Sequence, residues 1–203
     1  MSETIASALI DTILCDVGGV IIGFDPAVAT AIEARHGLEA GTLLPQLLKS
    51  EPARRATAGA ISLDEWRQIV ATKVGDQPVQ EWLDYHGDVD AAVVDQLKAL
   101  KNQGFRVILL SNASTRLWDD LAFHGLNGLA DEVLCSATIR QVKPDPSCYR
   151  YAAATAGFAL ERALYVDDTP SWVSAGVAVG LHGHVFSSAQ TLRDCLLACG
   201  LLS

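Results

Sequence analysis

Short apolar runs alternate with stretches of helical periodicity over most of the chain. TILCDV (12–17) is β-branched and apolar, and Gly18 and Gly19 stop it. That is the pattern of a strand buried on both faces and ending in a tight turn. FRVILL (105–110), EVLCS (132–136), ALYVDD (163–168) and HGHVF (182–186) repeat it. Helical spacing marks 89–103, 114–124, 146–157, 170–179 and 188–202; in the first, Val93, Val94, Leu97 and Leu100 share a face. Strands alternating with helices predict right-handed crossovers and a parallel sheet, giving an α/β, doubly wound core.

The interval 24–88 breaks the alternation. It predicts no strand but five helical segments, 26–36, 41–50, 52–58, 62–74 and 78–85, punctuated by Pro26, Pro45, Pro52 and Pro78. Ser62 and Glu65 have capping-box spacing before Trp66, Ile69 and Val70. The expectation is a small α-helical insert at 24–88 within a core made of 1–23 and 89–203. At about 150 residues per domain, a chain of 203 residues suits one domain with an insertion.

Composition narrows the function classes. Twenty-four acids against 15 Lys and Arg give a net charge of −9, with no basic run. An electrostatic grip on nucleic acid or an anionic membrane is therefore not expected. Five cysteines, an odd number without CxxC spacing, predict reduced thiols and a cytoplasmic setting. The start, MSETIASALIDTILCD, has no basic n-region, and Asp11 and Asp16 interrupt its apolar run, so no signal peptide is expected. No apolar stretch approaches the roughly 18 residues of a membrane span. Monomer and homodimer are both open.

Open parallel sheets bind ligands beyond the carboxyl ends of their strands. The polar residues predicted there are Asp16, Ser111, Asn112, Asp167 and Asp168, with Lys143 in the loop after the third strand. Asp16 and Asp168 make a hard oxygen site of the kind Mg²⁺ takes. Without a cation, clustered carboxylates raise one another's pKa. A phosphate can then be held by the metal, Lys143, the Ser111 hydroxyl and helix N-termini. A carboxylate facing phosphorus is a plausible nucleophile.

LCDVGGVII (14–22), LLSNAS (109–114), VKPDP (142–146) and YVDDTPSW (165–172) resemble, in order, the four motifs of the haloacid dehalogenase superfamily. AGAISLDEW (58–66) is similar to a stretch in the helical cap that one branch inserts after its first motif. The resemblance implies a Rossmann-like core with a helical cap, Mg²⁺ as cofactor and small phosphorylated metabolites as substrates. The Asp-x-Gly-Gly-Val-Ile start looks most like a branch of sugar-phosphate phosphatases of the glucose-1-phosphate type. Carried over by motif, Asp16 is nucleophile and metal ligand, Asp168 a second ligand, and Asp167 lies beside it. Ser111 and Asn112 hold the phosphoryl group; Lys143 neutralises it and orients Asp16.

One departure concerns the chemistry. The family commonly has a second Asp two residues after the nucleophile, acting as general acid and base; this chain has Gly18. Gly18 keeps a backbone carbonyl for the metal but has no proton to give, a loss typically of about 10²–10⁴-fold. Asp25 is a candidate substitute. Trp172 stands where the family often has Asn, which reads as a local packing change. Two other functions stay open: a metal-independent 2-haloacid dehalogenase, and a catalytically weak phosphate-sensing or partner-binding member of the fold. His182 and His184, spaced to share a strand face, and the pair Arg54 and Arg55 read as structural or solvated residues.

Overall fold

The computed structural model describes residues 10–202; most of the N-terminal stretch discussed above therefore lies outside the described residues. Five strands form one parallel sheet: β1 (Thr12–Cys15), β4 (Arg106–Ser111), β5 (Glu132–Cys135), β6 (Ala163–Asp167) and β7 (His182–Val185). Their order is β5–β4–β1–β6–β7. The chain leaves central β1 first toward β4 and β5, then toward β6 and β7, so the topological switch point lies at the end of β1.

Both faces of the sheet's centre are apolar, because β1, β4 and β6 each alternate between two buried sets. Ile13, Val107, Leu109 and Leu164 face one core, which α5 (Ala91–Asn102) and α10 (Ala189–Ala198) close with Leu97, Leu100, Leu192 and Leu196. Leu14, Ile108, Leu110 and Tyr165 face the other, which α8 (Pro146–Ala156) and α9 (Pro170–Ala178) close with Tyr149, Ala152 and Val173. This is the doubly wound α/β architecture that the alternation predicts.

Between β1 and β4 lie α1 (Pro26–His36), α2 (Glu51–Thr57), α3 (Leu63–Val74) and α4 (Asp76–Asp84). They enclose a separate apolar cluster that includes Ile32, Leu43, Leu47, Trp66, Val70 and Trp82. The Ser62–Glu65 capping box is present in both directions. The helix expected at 41–50 is instead a short wide turn at Pro45–Lys49. The buried Glu33 carboxylate takes the N–H groups of Gly41 (2.9 Å) and Leu43 (2.7 Å), fixing a turn there.

Three elements lie outside what the pattern predicts. β2 (Ile22–Gly23) pairs antiparallel with β3 (Asp88–Val89), clamping together the chain's exit to the helical layer and its return. Gly87 (φ 76°) makes that approach possible, since a Cβ there would stand 2.6 Å from Ile22 Cγ2. After β5 the chain turns at once into α7 (Ser136–Ile139), so the strand ends one residue short of expectation. Here the helical layer touches the core: Ser136 Oγ donates to the Thr57 carbonyl at 2.7 Å. Gly59 (φ 69°) packs so closely that a Cβ would lie 2.1 Å from the Ala137 carbonyl oxygen.

Candidate active site

Asp16 extends β1 by one residue; its N–H donates to the Val166 carbonyl at 2.9 Å. The side chain is buried, and its Oδ1 accepts the Val17 N–H at 2.7 Å. Ser111 ends β4, Asp167 ends β6 and Asp168 follows it. Carboxylate oxygens of Asp16, Asp167 and Asp168 lie within 4.8 Å of one another. Gly19 lets the backbone close over them: its φ is 80°, and a Cβ would stand 2.2 Å from Asp168 Oδ2.

Lys143 enters from the loop after β5 and is wholly buried at its side chain. Its Nζ lies 2.7 Å from Asp167 Oδ2, 3.0 Å from Asp16 Oδ2 and 3.0 Å from the Leu110 carbonyl. An ammonium has three protons, and these three oxygens take them all. Contact between Lys143 and a phosphate therefore requires one bond to exchange. Nζ also sits 4.8 Å from the centre of the Trp172 ring, so the aromatic residue at that departure from pattern touches the site.

Asn112 lines the adjoining cavity, and its side chain also holds Lys143. Its amide nitrogen donates to the Lys143 carbonyl (2.8 Å), and its oxygen accepts the Lys143 N–H (2.9 Å). Both ends of the side chain bear on the Lys143 backbone, and each keeps one further donor or acceptor site. Ser111 is buried and lines the adjoining cavity. Asp25 caps α1 by accepting the Ala27 N–H, is exposed, and does not line that cavity. His182 bonds the Glu161 carbonyl on the far edge of the sheet.

The electrostatics follow from burial. Loss of solvent pushes the Asp16 carboxyl up to about 7, with Lys143 opposing the rise and Asp167 adding to it. Burial alone would lower Lys143, but the two carboxylates outweigh it and hold the ammonium above its ordinary range. Two buried carboxylates share one ammonium, and the exposed Asp168 carboxylate stands beside them, a negative surplus that a divalent cation at these hard oxygens would cancel. The donor set fits Mg²⁺.

Beside this cluster opens a cavity of about 330 Å³. Val17, Gly18, Ser111 and Asn112 form its floor, and Phe24, Leu47, Trp66 and Trp82 are among its walls. A Cβ on Gly18 would meet nothing within 4 Å. The charged residues lining it are Arg116 and Asp120, from the segment around α6 (Leu117–Phe123). Arg116 Nε is 3.3 Å from Asp120 Oδ1, and that oxygen is 2.8 Å from His86 Nδ1. Arg116 also donates to the Tyr85 carbonyl. Sequence reasoning had no signal for this group, since Arg116 looks like any charged residue at a helix start.

A family model described as haloacid dehalogenase-like hydrolase matches residues 10–180. D-ribitol-5-phosphate phosphatase of Bacteroides thetaiotaomicron is 25% identical over 185 residues, covering 85% of this chain and 89% of that protein. Phosphoglycolate phosphatase 1 of Pseudomonas aeruginosa is 31% identical over 134 residues, 63% of this chain and 48% of that protein. Among solved structures, a HAD family enzyme of Bacteroides thetaiotaomicron in complex with magnesium and inorganic phosphate superposes with a TM-score of 0.77. It is 18% identical, and the match covers 88% of this chain and 94% of that one.

Proposed function

The chain belongs to the haloacid dehalogenase-like hydrolase family, and from that premise we propose that it is a Mg²⁺-dependent phosphatase of small phosphorylated metabolites, working through an aspartyl-phosphate on Asp16. The observation that carries this reading is the meeting of Asp16, Asp167 and Asp168, with the Lys143 ammonium bonded to the first two. Nothing in packing a sheet edge requires that arrangement. The phosphatases among its relatives support it. Sugar phosphates remain one candidate substrate class.

Asp16 attacks phosphorus with one carboxylate oxygen, and the ester bond to the leaving group breaks. Water then attacks the phosphorus of the aspartyl-phosphate and frees the carboxylate. Val17 N–H and Lys143 fix the Asp16 carboxylate for that attack, and Asn112 fixes Lys143. The Ser111 hydroxyl contacts the phosphoryl oxygens from the floor of the cavity. Asp16, Asp168 and the Gly18 carbonyl would hold Mg²⁺, with Asp167 beside them, and the cation would supply positive charge to the phosphoryl oxygens. We take residues 24–88 as the cap over this site and 1–23 with 89–203 as the catalytic core.

The test is phosphate release from 4-nitrophenyl phosphate with Mg²⁺ and with chelator, using Asp16→Asn as the blank. Activity is expected to need the metal and to fall to background in the variant. Equal rates for wild type and variant at every Mg²⁺ concentration would falsify the reading. Carbon–halogen hydrolysis is the competing chemistry, and chloride release from a 2-haloacid in chelator would replace the phosphatase reading with it. The acidic cluster weighs against that outcome, because carboxylates around an attacked carbon serve no purpose without a cation.

A further inference from the structure

We propose that the substrate is an aryl phosphate, a phosphomonoester whose leaving group departs as a phenolate without receiving a proton from the protein. The inference rests on the phosphatase reading above and names the substrate class for that site. Two independent features of the cavity carry it.

The first is its proton inventory. The described residues lining the cavity include one carboxyl group, Asp120, whose Oδ1 is hydrogen-bonded to His86 Nδ1 at 2.8 Å and ion-paired with Arg116 Nε at 3.3 Å. The other polar side chains there, Thr57, Ser111, Asn112 and Ser114, are hydroxyls and amides that do not act as acids near neutral pH. Position 18, next to the nucleophile's loop, is glycine beside open space. An alkoxide, whose conjugate acid is as weak as water, leaves poorly from such a site. A phenolate, with a conjugate acid near about 10 as in tyrosine, leaves unaided.

The second is the wall. Phe24, Trp66 and Trp82 bring three aromatic side chains to the cavity, with Leu47, Leu63 and Leu83 among the aliphatic lining. Along this aromatic and aliphatic wall the hydroxyls of a sugar or polyol would lose water, whereas a flat ring gains from the burial. A cavity of about 330 Å³ takes a single ring with its phosphate.

The chemistry balances without another reactant. The Asp16 carboxylate forms an O–P bond as the P–O(aryl) bond breaks, and the electron pair leaves on the phenolate. Water adds to phosphorus as the Asp16–P bond breaks, giving dihydrogen phosphate and the free carboxylate; the phenolate takes the spare proton in solution. The second step lacks a base as the first lacks an acid. For a good leaving group the aspartyl-phosphate therefore accumulates.

The experiment is steady-state and rapid-mixing kinetics of the whole chain with Mg²⁺, on substituted phenyl phosphates spanning a range of phenol pKa and on glycerol and hexose phosphates. The expected result is kcat/KM at least about 10²-fold higher for phenyl phosphate than for the alkyl and polyol esters, rising as the phenol becomes more acidic. For activated members kcat is constant, a burst of phenol precedes turnover, and the trapped protein gains the mass of one phosphoryl group. Gly18→Asp is expected to flatten the leaving-group dependence and to narrow the gap between aryl and alkyl esters. Polyol phosphates turned over as well as phenyl phosphate, with Asp16→Asn inactive, would overturn this inference and leave the phosphatase reading standing. No hydrolysis of any ester would remove both.

Discussion

Lys143 is held so completely that its removal becomes a test of how the site is built. Its side chain is fully buried between Asp16 and Asp167. Lys143→Met keeps the length and loses the charge, leaving two carboxylates facing each other without solvent. The expected cost is about 3–5 kcal/mol of folding stability, read from urea denaturation in chelator, with activity lost. Most of the chemical set is legible in the sequence: Asp16, Ser111, Asp167 and Asp168 each end a recognisable strand. The uses of Asn112, Trp172 and Arg116 are not. Asn112 reads as a phosphate contact or a helix cap until Lys143's backbone, 31 positions on, is found against its amide. Trp172 reads as packing until Lys143 Nζ is found over its ring.

At the level of elements, β7 is one of the two edge strands, and it carries a group that ties stability to acid. His184 Nε2 is buried and has no hydrogen-bond partner among the described residues. Burial holds the imidazole below its ordinary pKa. Above about pH 6.5 the group is neutral whether the chain is folded or not, and it contributes nothing to the pH dependence. As pH falls through that value, the unfolded chain takes a proton that the folded chain refuses, so stability drops. Urea midpoints between pH 8 and pH 5 should fall more steeply for the wild type than for His184→Phe; parallel slopes would refute this. β1, β4 and β6 were readable because each is a nearly continuous apolar run. β2 and β3, two residues apiece, offer no periodicity to detect, and their pairing depends on Gly87. The turn at Pro45–Lys49 escaped because Glu33, outside that segment, takes the nearby backbone N–H groups.

The molecule as a whole carries a net charge of −9, and a phosphate dianion must approach against that field. Repulsion is screened over about 10 Å at 0.1 M salt. The expectation is that kcat/KM rises about twofold between low and physiological ionic strength, with kcat nearly constant. A fall in kcat/KM over that range would show that the local cations outweigh the global field. Entry also depends on how the helical layer rests on the sheet. At Gly59 no side chain intervenes between that layer and the Ala137 carbonyl. A bearing point without a cushion cannot be compressed, so the two bodies have one seat at that spot. Parting the two there breaks the Ser136–Thr57 hydrogen bond outright rather than by degrees.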